Sequence, residues 1–214
     1  MTCDRNTARC PDARSYDHAL RPCCRQHVID IMRNVAAEMD RQKVVWWADY
    51  GTLLGAVRNP LTSRSDYPWL ELDDVPIAPG IVPHDKDADL GVLHTHWGKA
   101  VQAVRDCRRT HKYDVVITAY RGSMKVRLSP KNHTNVDLFF WHEKPDGTMF
   151  RRGYAQVDAF KGREFHRDIL FPLGTVEWEG LTLPAPRDPE AFLAMRYGPN
   201  WRTPVAANHD GVRR

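Results

Sequence analysis

Three aspartates, Asp85, Asp87 and Asp89, stand at alternate positions in the stretch HDKDADLGVL, residues 84–93. Alternate side chains of an extended strand share a face. The pattern therefore predicts three carboxylates projecting together, with Lys86 and Ala88 on the other side. Closely set carboxylates repel, and some shift towards the protonated form unless a cation joins them. Mg²⁺ and Mn²⁺ favour oxygen ligands of this kind. A D-x-D seen alone is more often a solvated acidic turn, so the reading needs support from the rest of the chain.

Two other stretches supply it. DYGTLLG, from Asp49 to Gly55, reads as a strand end, a tight glycine turn and a helix start. Backbone N–H groups at such a point can cradle a phosphate. Gly51 and Gly55 would permit close approach, and Thr52 would add a hydroxyl. Downstream, NVDLFFW places Asp137 inside an apolar strand. A carboxylate there is costly unless it is paired or liganding. A glycine turn, a D-x-D strand and a later Asp form a two-metal phosphoryl-transfer layout. The later carboxylate could share a metal or take the proton from an attacking hydroxyl.

The elements that must hold these groups are legible in outline. Pro22 suits the first turn of a helix, and Val28, Ile31, Met32, Val35 and Met39 follow at helical spacing. KVVWWADYG reads as a strand and GTLLGAVR as the turn with its short helix. Residues 59–81 hold four prolines and read as a long loop. HDKDADLGVL is the next strand, WGKAVQAVRDCRR a helix, and YDVVITAY, SMKVRLSP and NVDLFFWHE three further strands. DPEAFLAMRYG closes the series as a helix with Asp188 as its N-cap. The order predicts an α+β fold with a mixed β-sheet flanked by helices, not a doubly wound one. GTLLG also lacks the GxGxxG dinucleotide fingerprint.

Hydrophobic residues make up 42% of the 214, enough for a globular core. The net charge of +4 is spread along the chain. That argues against a nucleic acid polymer as partner and suits a site handling anionic phosphate. No apolar run is long enough to cross a bilayer, and the N-terminus is too polar for a signal peptide. The chain as given is therefore expected in the cytoplasm, unless it is cut from a larger anchored protein. Five cysteines are an odd count. Cys107 falls in a helix, while Cys3, Cys10, Cys23 and Cys24 crowd the N-terminus in a C-x6-C-x12-C-C spacing. On spacing alone, structural zinc, free thiols and disulfides all remain open.

The ordered set WWADYGTLLGAVR, IVPHDKDADLGVL, NVDLFFW and LPAPRDPEAFLAMRYGPNW resembles the LicD family of phosphotransferases, within the nucleotidyltransferase-fold superfamily. The likeness runs from about Cys23 to Trp201. It implies a nucleotidyltransferase-like domain over residues 25–214, preceded by a zinc-binding segment at 1–24. It implies transfer of a phospho-alcohol from a CDP-alcohol (ribitol, glycerol or choline) to a glycan or polyol hydroxyl, with release of CMP. Asp87 and Asp89 would hold Mg²⁺ (or Mn²⁺), with Asp85 as a further partner and Asp137 as ligand or base. Gly51 and Thr52 would face the donor phosphates, with Gly55 beside them and Arg58 and Lys125 as phosphate contacts. The resemblance also favours a structural Zn²⁺ on Cys3, Cys10, Cys23 and Cys24. One departure is His84, which stands where many members have Trp. The other is the length of the 59–81 loop.

Overall fold

The computed structural model describes residues 3–7, 19–70, 78–118, 122–151 and 164–205. Helix α1 spans Pro22–Arg41, with Pro22 in its first turn. Its expected apolar stripe is buried, together with Cys24 and Ile29. Strand β1 (Trp46–Ala48) is shorter than the apolar run that contains it, because Asp49 leaves the strand to cap the next helix. That helix, α2, spans Tyr50–Arg58, and the Asp49 side chain accepts from the Tyr50 N–H. The expected glycine turn is therefore absent. The left-handed residue is Tyr50, at φ 41°, while Gly51 and Gly55 lie inside the helix.

Strand β2 covers Ala88–Leu93 and helix α3 Trp97–His111. Strands β3 (Asp114–Thr118), β4 (Ser123–Arg127) and β5 (Asn135–Glu143) follow. The sheet order is β1-β2-β5-β4-β3. β2 and β5 run parallel and the other pairs antiparallel, so the sheet is mixed, as expected. Short strands β6 (Thr148–Phe150) and β7 (Phe165–His166) extend it from the end of β5. β8 (Gly174–Trp178) and β9 (Leu181–Ala185) form a separate hairpin, and α4 (Pro189–Tyr197) closes the described chain. Asp188 caps α4 as expected, accepting from Ala191 N–H at 2.9 Å.

The sheet separates two layers. Ala88, Leu90, Val92, Val136, Leu138 and Phe140 are buried on one face, where Trp97 of α3 packs on Phe140. α1 lies against α3 and β5 in the same layer. On the other face Tyr50 of α2 packs on Phe139, at 4.8 Å between ring centroids. Adjacent strand residues point to opposite sides, so this second face also carries Asp89 and Asp137.

Cys3, Leu20 and Cys24 share the main hydrophobic core, and α1 already begins at Pro22. The 24/25 boundary thus falls within the first turn of a helix. The 59–81 stretch is more ordered at its ends than a free loop. It opens with 3-10 turns at Asn59–Leu61 and Arg64–Asp66. The Asn59 amide donates to the carbonyls of Ala78 and Ile81, each at 3.1 Å. Residues 71–77 of this stretch lie outside the described residues. Among the described residues no helix is long and apolar enough to cross a membrane.

Candidate active site

The strand register builds the centre of the site. Asp89 on β2 stands opposite Asp137 on β5, and Asp137 stands opposite Lys125 on β4. One row across three strands therefore reads carboxylate, carboxylate, ammonium. Lys125 Nζ lies 2.9 Å from Asp137 Oδ2. Asp137, expected inside an apolar strand, is half-buried and paired, as the cost of withdrawing a carboxylate from water requires. Asn135 shares its face, two residues earlier. Its amide donates to Asp137 Oδ1 at 3.1 Å and to Asp87 Oδ2 at 3.3 Å.

Asp85 and Asp87 precede the ladder, since β2 starts only at Ala88. The alternation of sides persists without it: His84, Lys86 and Ala88 are buried, while Asp85, Asp87 and Asp89 are partly exposed. Like charges keep these side chains from closing on one another. Among the described residues, the one set of three metal-ligating side chains whose ligand atoms all lie within 4.8 Å is Cys3, Cys23 and Cys24.

The start of α2 meets the acidic row from above. Gly51 N–H donates to Asp89 Oδ2 at 3.1 Å, and Asp89 N–H donates to Thr52 Oγ1 at 2.7 Å. Thr52 is buried. Gly51 and Thr52, expected to face a donor phosphate, here brace the Asp89 carboxylate and backbone. A Cβ on Gly51 would overlap Asp85 Oδ2. Gly51→Ala is therefore expected to displace that carboxylate and lower any metal-dependent turnover by about 10²-fold. Steady-state rates beside an unchanged thermal midpoint would check this.

Gly55 and Arg58 depart from expectation. A Cβ on Gly55 would overlap the carbonyl oxygen of Gly80, so this glycine serves chain packing and not a phosphate. Arg58 lies at the far end of α2, buried, with Nη1 3.5 Å from the Trp201 carbonyl. Seven helical steps along α2 separate its backbone from Gly51 by about ten ångströms. His84 is buried; burial, with Arg58 and Lys86 nearby, pushes its pKa down to about 4. It is neutral at physiological pH and stands in the packing, not among the carboxylates.

The charges on the row act on one another. Burial, followed by repulsion from Asp87, raises the Asp137 pKa to about 7. Burial works against the Lys125 ammonium, but Asp137, with Asp87 and Asp89 behind it, outweighs this and holds its pKa above the ordinary lysine value.

Sequence reasoning missed a cationic shell beside this row. Arg151, at the end of β6, stacks 4.1 Å from the Phe139 ring centroid and donates to the Tyr50 hydroxyl. Arg196 of α4 lies 3.8 Å from the Tyr50 ring centroid. Asp49 sits fully buried beneath them, accepting from Trp141 Nε1 at 2.8 Å. Burial raises its pKa, against the pull of Arg196 and Arg151. Burial also pushes the Tyr50 phenol up to about 12, so it stays neutral. Asn135 was visible as the same-face neighbour of Asp137. Arg151 and Arg196 had no such signal, since tertiary packing alone brings them here.

The cysteine cluster forms at the start of α1. Cys23 and Cys24 lie in the first turn of α1 and meet Cys3, whose Sγ accepts from Asn132 Nδ2 at 3.0 Å. Cys10 lies outside the described residues.

Comparison with known proteins adds independent information. The family model for the LicD/FKTN/FKRP nucleotidyltransferase domain matches residues 78–188, just over half of the chain. The human ribitol 5-phosphate transferase FKRP is 27% identical over 210 residues, covering 92% of this chain and 38% of that protein. The Mus musculus protein of the same name gives the same identity and coverage. An uncharacterised protein of Rickettsia typhi is 23% identical over 176 residues, covering 80% of this chain and 45% of its own length. The chain thus spans less than half the length of these relatives. Among solved structures, a lincomycin-bound lincosamide antibiotic adenylyltransferase aligns at TM-score 0.41 with 15% identity. The alignment covers 82% of this chain and 85% of that one.

Proposed function

The chain belongs to the LicD family, and from that premise we propose that it is a divalent-metal-dependent phosphotransferase. It moves a phospho-alcohol from a CDP-alcohol donor to a glycan or polyol hydroxyl and releases CMP. The observation that carries this reading is the Asp89–Asp137–Lys125 row, with Asp85 and Asp87 at its edge. Support for a phospho-alcohol as the transferred group comes from the FKRP relatives, which are named ribitol 5-phosphate transferases.

The donor set fits Mg²⁺ or Mn²⁺: it is all oxygen, partly exposed and mutually repelling. Asp85, Asp87 and Asp89 would hold the ion, which when bound would neutralise charge on the pyrophosphate. The residues have separate tasks. Gly51 and Thr52 fix Asp89. Asn135 spaces Asp87 from Asp137. Lys125 offers a cation to the phosphoryl oxygens as charge develops. Asp137 takes the proton of the attacking hydroxyl. The new bond joins that oxygen to the alcohol-bearing phosphorus; the bond from this phosphorus to the bridging oxygen breaks, and CMP leaves with its electron pair.

The test is product identity. The protein is incubated with Mg²⁺, a polyol or glycan acceptor, and CDP-ribitol, CDP-glycerol, CDP-choline, CTP or ATP. CMP from one CDP-alcohol supports the proposal. Pyrophosphate from CTP or ATP would replace it with nucleotidyl transfer. Glycan binding with no turnover of any donor would replace it with a binding module.

We also propose a structural zinc at the cysteine cluster. Three sulfurs within 4.8 Å suit the thiolate preference of Zn²⁺, and Cys10 would be the fourth ligand. Cys24→Ser is expected to remove about one zinc per chain and to lower the Tm by several degrees. Metal analysis and thermal unfolding check both. Zinc-free wild-type protein with four reactive N-terminal thiols would contradict the assignment.

A further inference from the structure

The β8–β9 hairpin lies far along the chain from the carboxylates, and the proposed transfer makes no use of it. Its turn is formed by Glu179 and Gly180, both at positive φ. The Glu179 side chain is only 9% exposed. Its Oε2 accepts from Arg25 Nε at 3.1 Å, and its Oε1 accepts from Arg25 Nη2. The same Oε1 accepts from the Ile81 N–H at 2.7 Å, while the Glu179 N–H donates to the Pro79 carbonyl at 2.9 Å. One side chain therefore joins three separate elements: the hairpin, the 79–81 turn, and the first turn of α1 just after Cys23 and Cys24.

The 79–81 turn leads directly to the acidic site. Gly80 lacks room for a side chain, because a Cβ there would overlap the Glu179 carboxylate. Gly55 of α2 lacks room for the same reason, against the Gly80 carbonyl. Ile81, Val82, Pro83 and His84 are all buried. The Asp85 N–H closes a turn onto the Val82 carbonyl at 2.8 Å, and the Leu20 N–H holds the Pro83 carbonyl at 3.2 Å. Five consecutive residues so constrained form a stiff arm from the Glu179 contact to the Asp85 carboxylate. A buried ion pair is weak evidence of added stability, and what this one visibly does is tie the hairpin to the 79–81 turn and to α1.

We infer that Glu179 is a positioning residue for the acidic site: it holds the 79–82 arm and thereby sets where Asp85 meets the start of α2. The inference rests on the metal reading of Asp85, Asp87 and Asp89. Outer partners that orient metal ligands typically change affinity 10- to 100-fold when removed. Glu179→Ala is therefore expected to weaken Mn²⁺ binding about tenfold. Glu179→Gln keeps an acceptor for the Ile81 N–H and should restore most of the loss.

The discriminating measurement is a double-mutant cycle with Asp85→Asn, read by Mn²⁺ calorimetry. If Glu179 acts through Asp85, Glu179→Ala has little further effect in the Asp85→Asn background. A merely structural role would weaken both backgrounds alike. Full additivity, or wild-type Mn²⁺ affinity in Glu179→Ala, overturns the inference and leaves the metal reading standing. Wild-type protein that binds no Mn²⁺ overturns both. Should Glu179→Ala fail to fold, Gly80→Ala carries the same cycle, because its new methyl group dislodges the Glu179 carboxylate. The same non-additivity is expected there, and additivity again overturns the inference.

Discussion

Asp89→Asn is expected to lower turnover by about 10³-fold without lowering the thermal midpoint. The asparagine oxygen can still accept from the Gly51 N–H, and the Asp89 backbone N–H keeps its bond to Thr52. The loss is confined to one negative charge at the β2 end of the row. Removing it also relieves repulsion with Asp137 across the parallel strands. Activity and stability should therefore move independently, or in opposite directions. A variant that loses both together would mean that Asp89 is a structural residue. A variant that keeps wild-type turnover would remove the metal assignment.

The second large effect is in pH. The Asp137 pKa is raised from 3.8 to about 7, by burial first and by Asp87 next. As the base, Asp137 must be ionised, so kcat/KM should fall about tenfold per pH unit below its pKa, which a cation bound beside Asp87 would lower from the metal-free value. Asp137→Asn should lower the rate strongly at every pH and abolish this limb. Mn²⁺ affinity separates its two possible roles. A base leaves it nearly unchanged in Asp137→Asn, whereas a ligand loses it with the carboxylate. The same shift has a signature in stability. A raised folded-state pKa means that the folded protein holds a proton which the unfolded chain releases between pH 3.8 and about 7. The contribution of this group to stability is therefore fully present below the unfolded value and is lost as pH rises through about 7. Paired carboxylates with lowered pKa behave in the opposite way.

Much of this site can be read from residue order, because its logic is local. Alternation in HDKDADLGVL sets the side of the sheet on which Asp85, Asp87 and Asp89 stand, even though hydrogen-bonded pairing begins only at Ala88. NVDLFFW places both Asn135 and Asp137 on one face by the same rule. The adjacent strands are non-local, so the pairing of Asp137 with Lys125 depends on a register that sequence does not display. The strand end at Asp49 also misleads. Its apolar context suggests continuation of the strand, but the carboxylate turns to cap α2, and Tyr50 takes the left-handed conformation instead of a glycine.

Residue order does not show what each glycine makes room for. Gly51 makes room for Asp85, which belongs to the site, whereas Gly55 makes room for Gly80, which belongs to the arm leading to it. Short strands β6 to β9 gave little periodicity. β9 even contains Pro184, which a two-stranded hairpin with only edges can accept. The guanidinium groups around Tyr50 converge from β6 and α4, elements whose sequences carry no trace of a shared target.

In the proposed function the carboxylates hold a divalent ion against the pyrophosphate of a cytidine donor. Phosphorus NMR of CDP with substoichiometric Mn²⁺ tests it most directly, because CDP is common to every proposed donor. Wild-type protein should broaden both phosphorus resonances well beyond the effect of Mn²⁺ alone, and Asp89→Asn should abolish the excess. Equal broadening by wild type and variant, or none by wild type, would contradict the account.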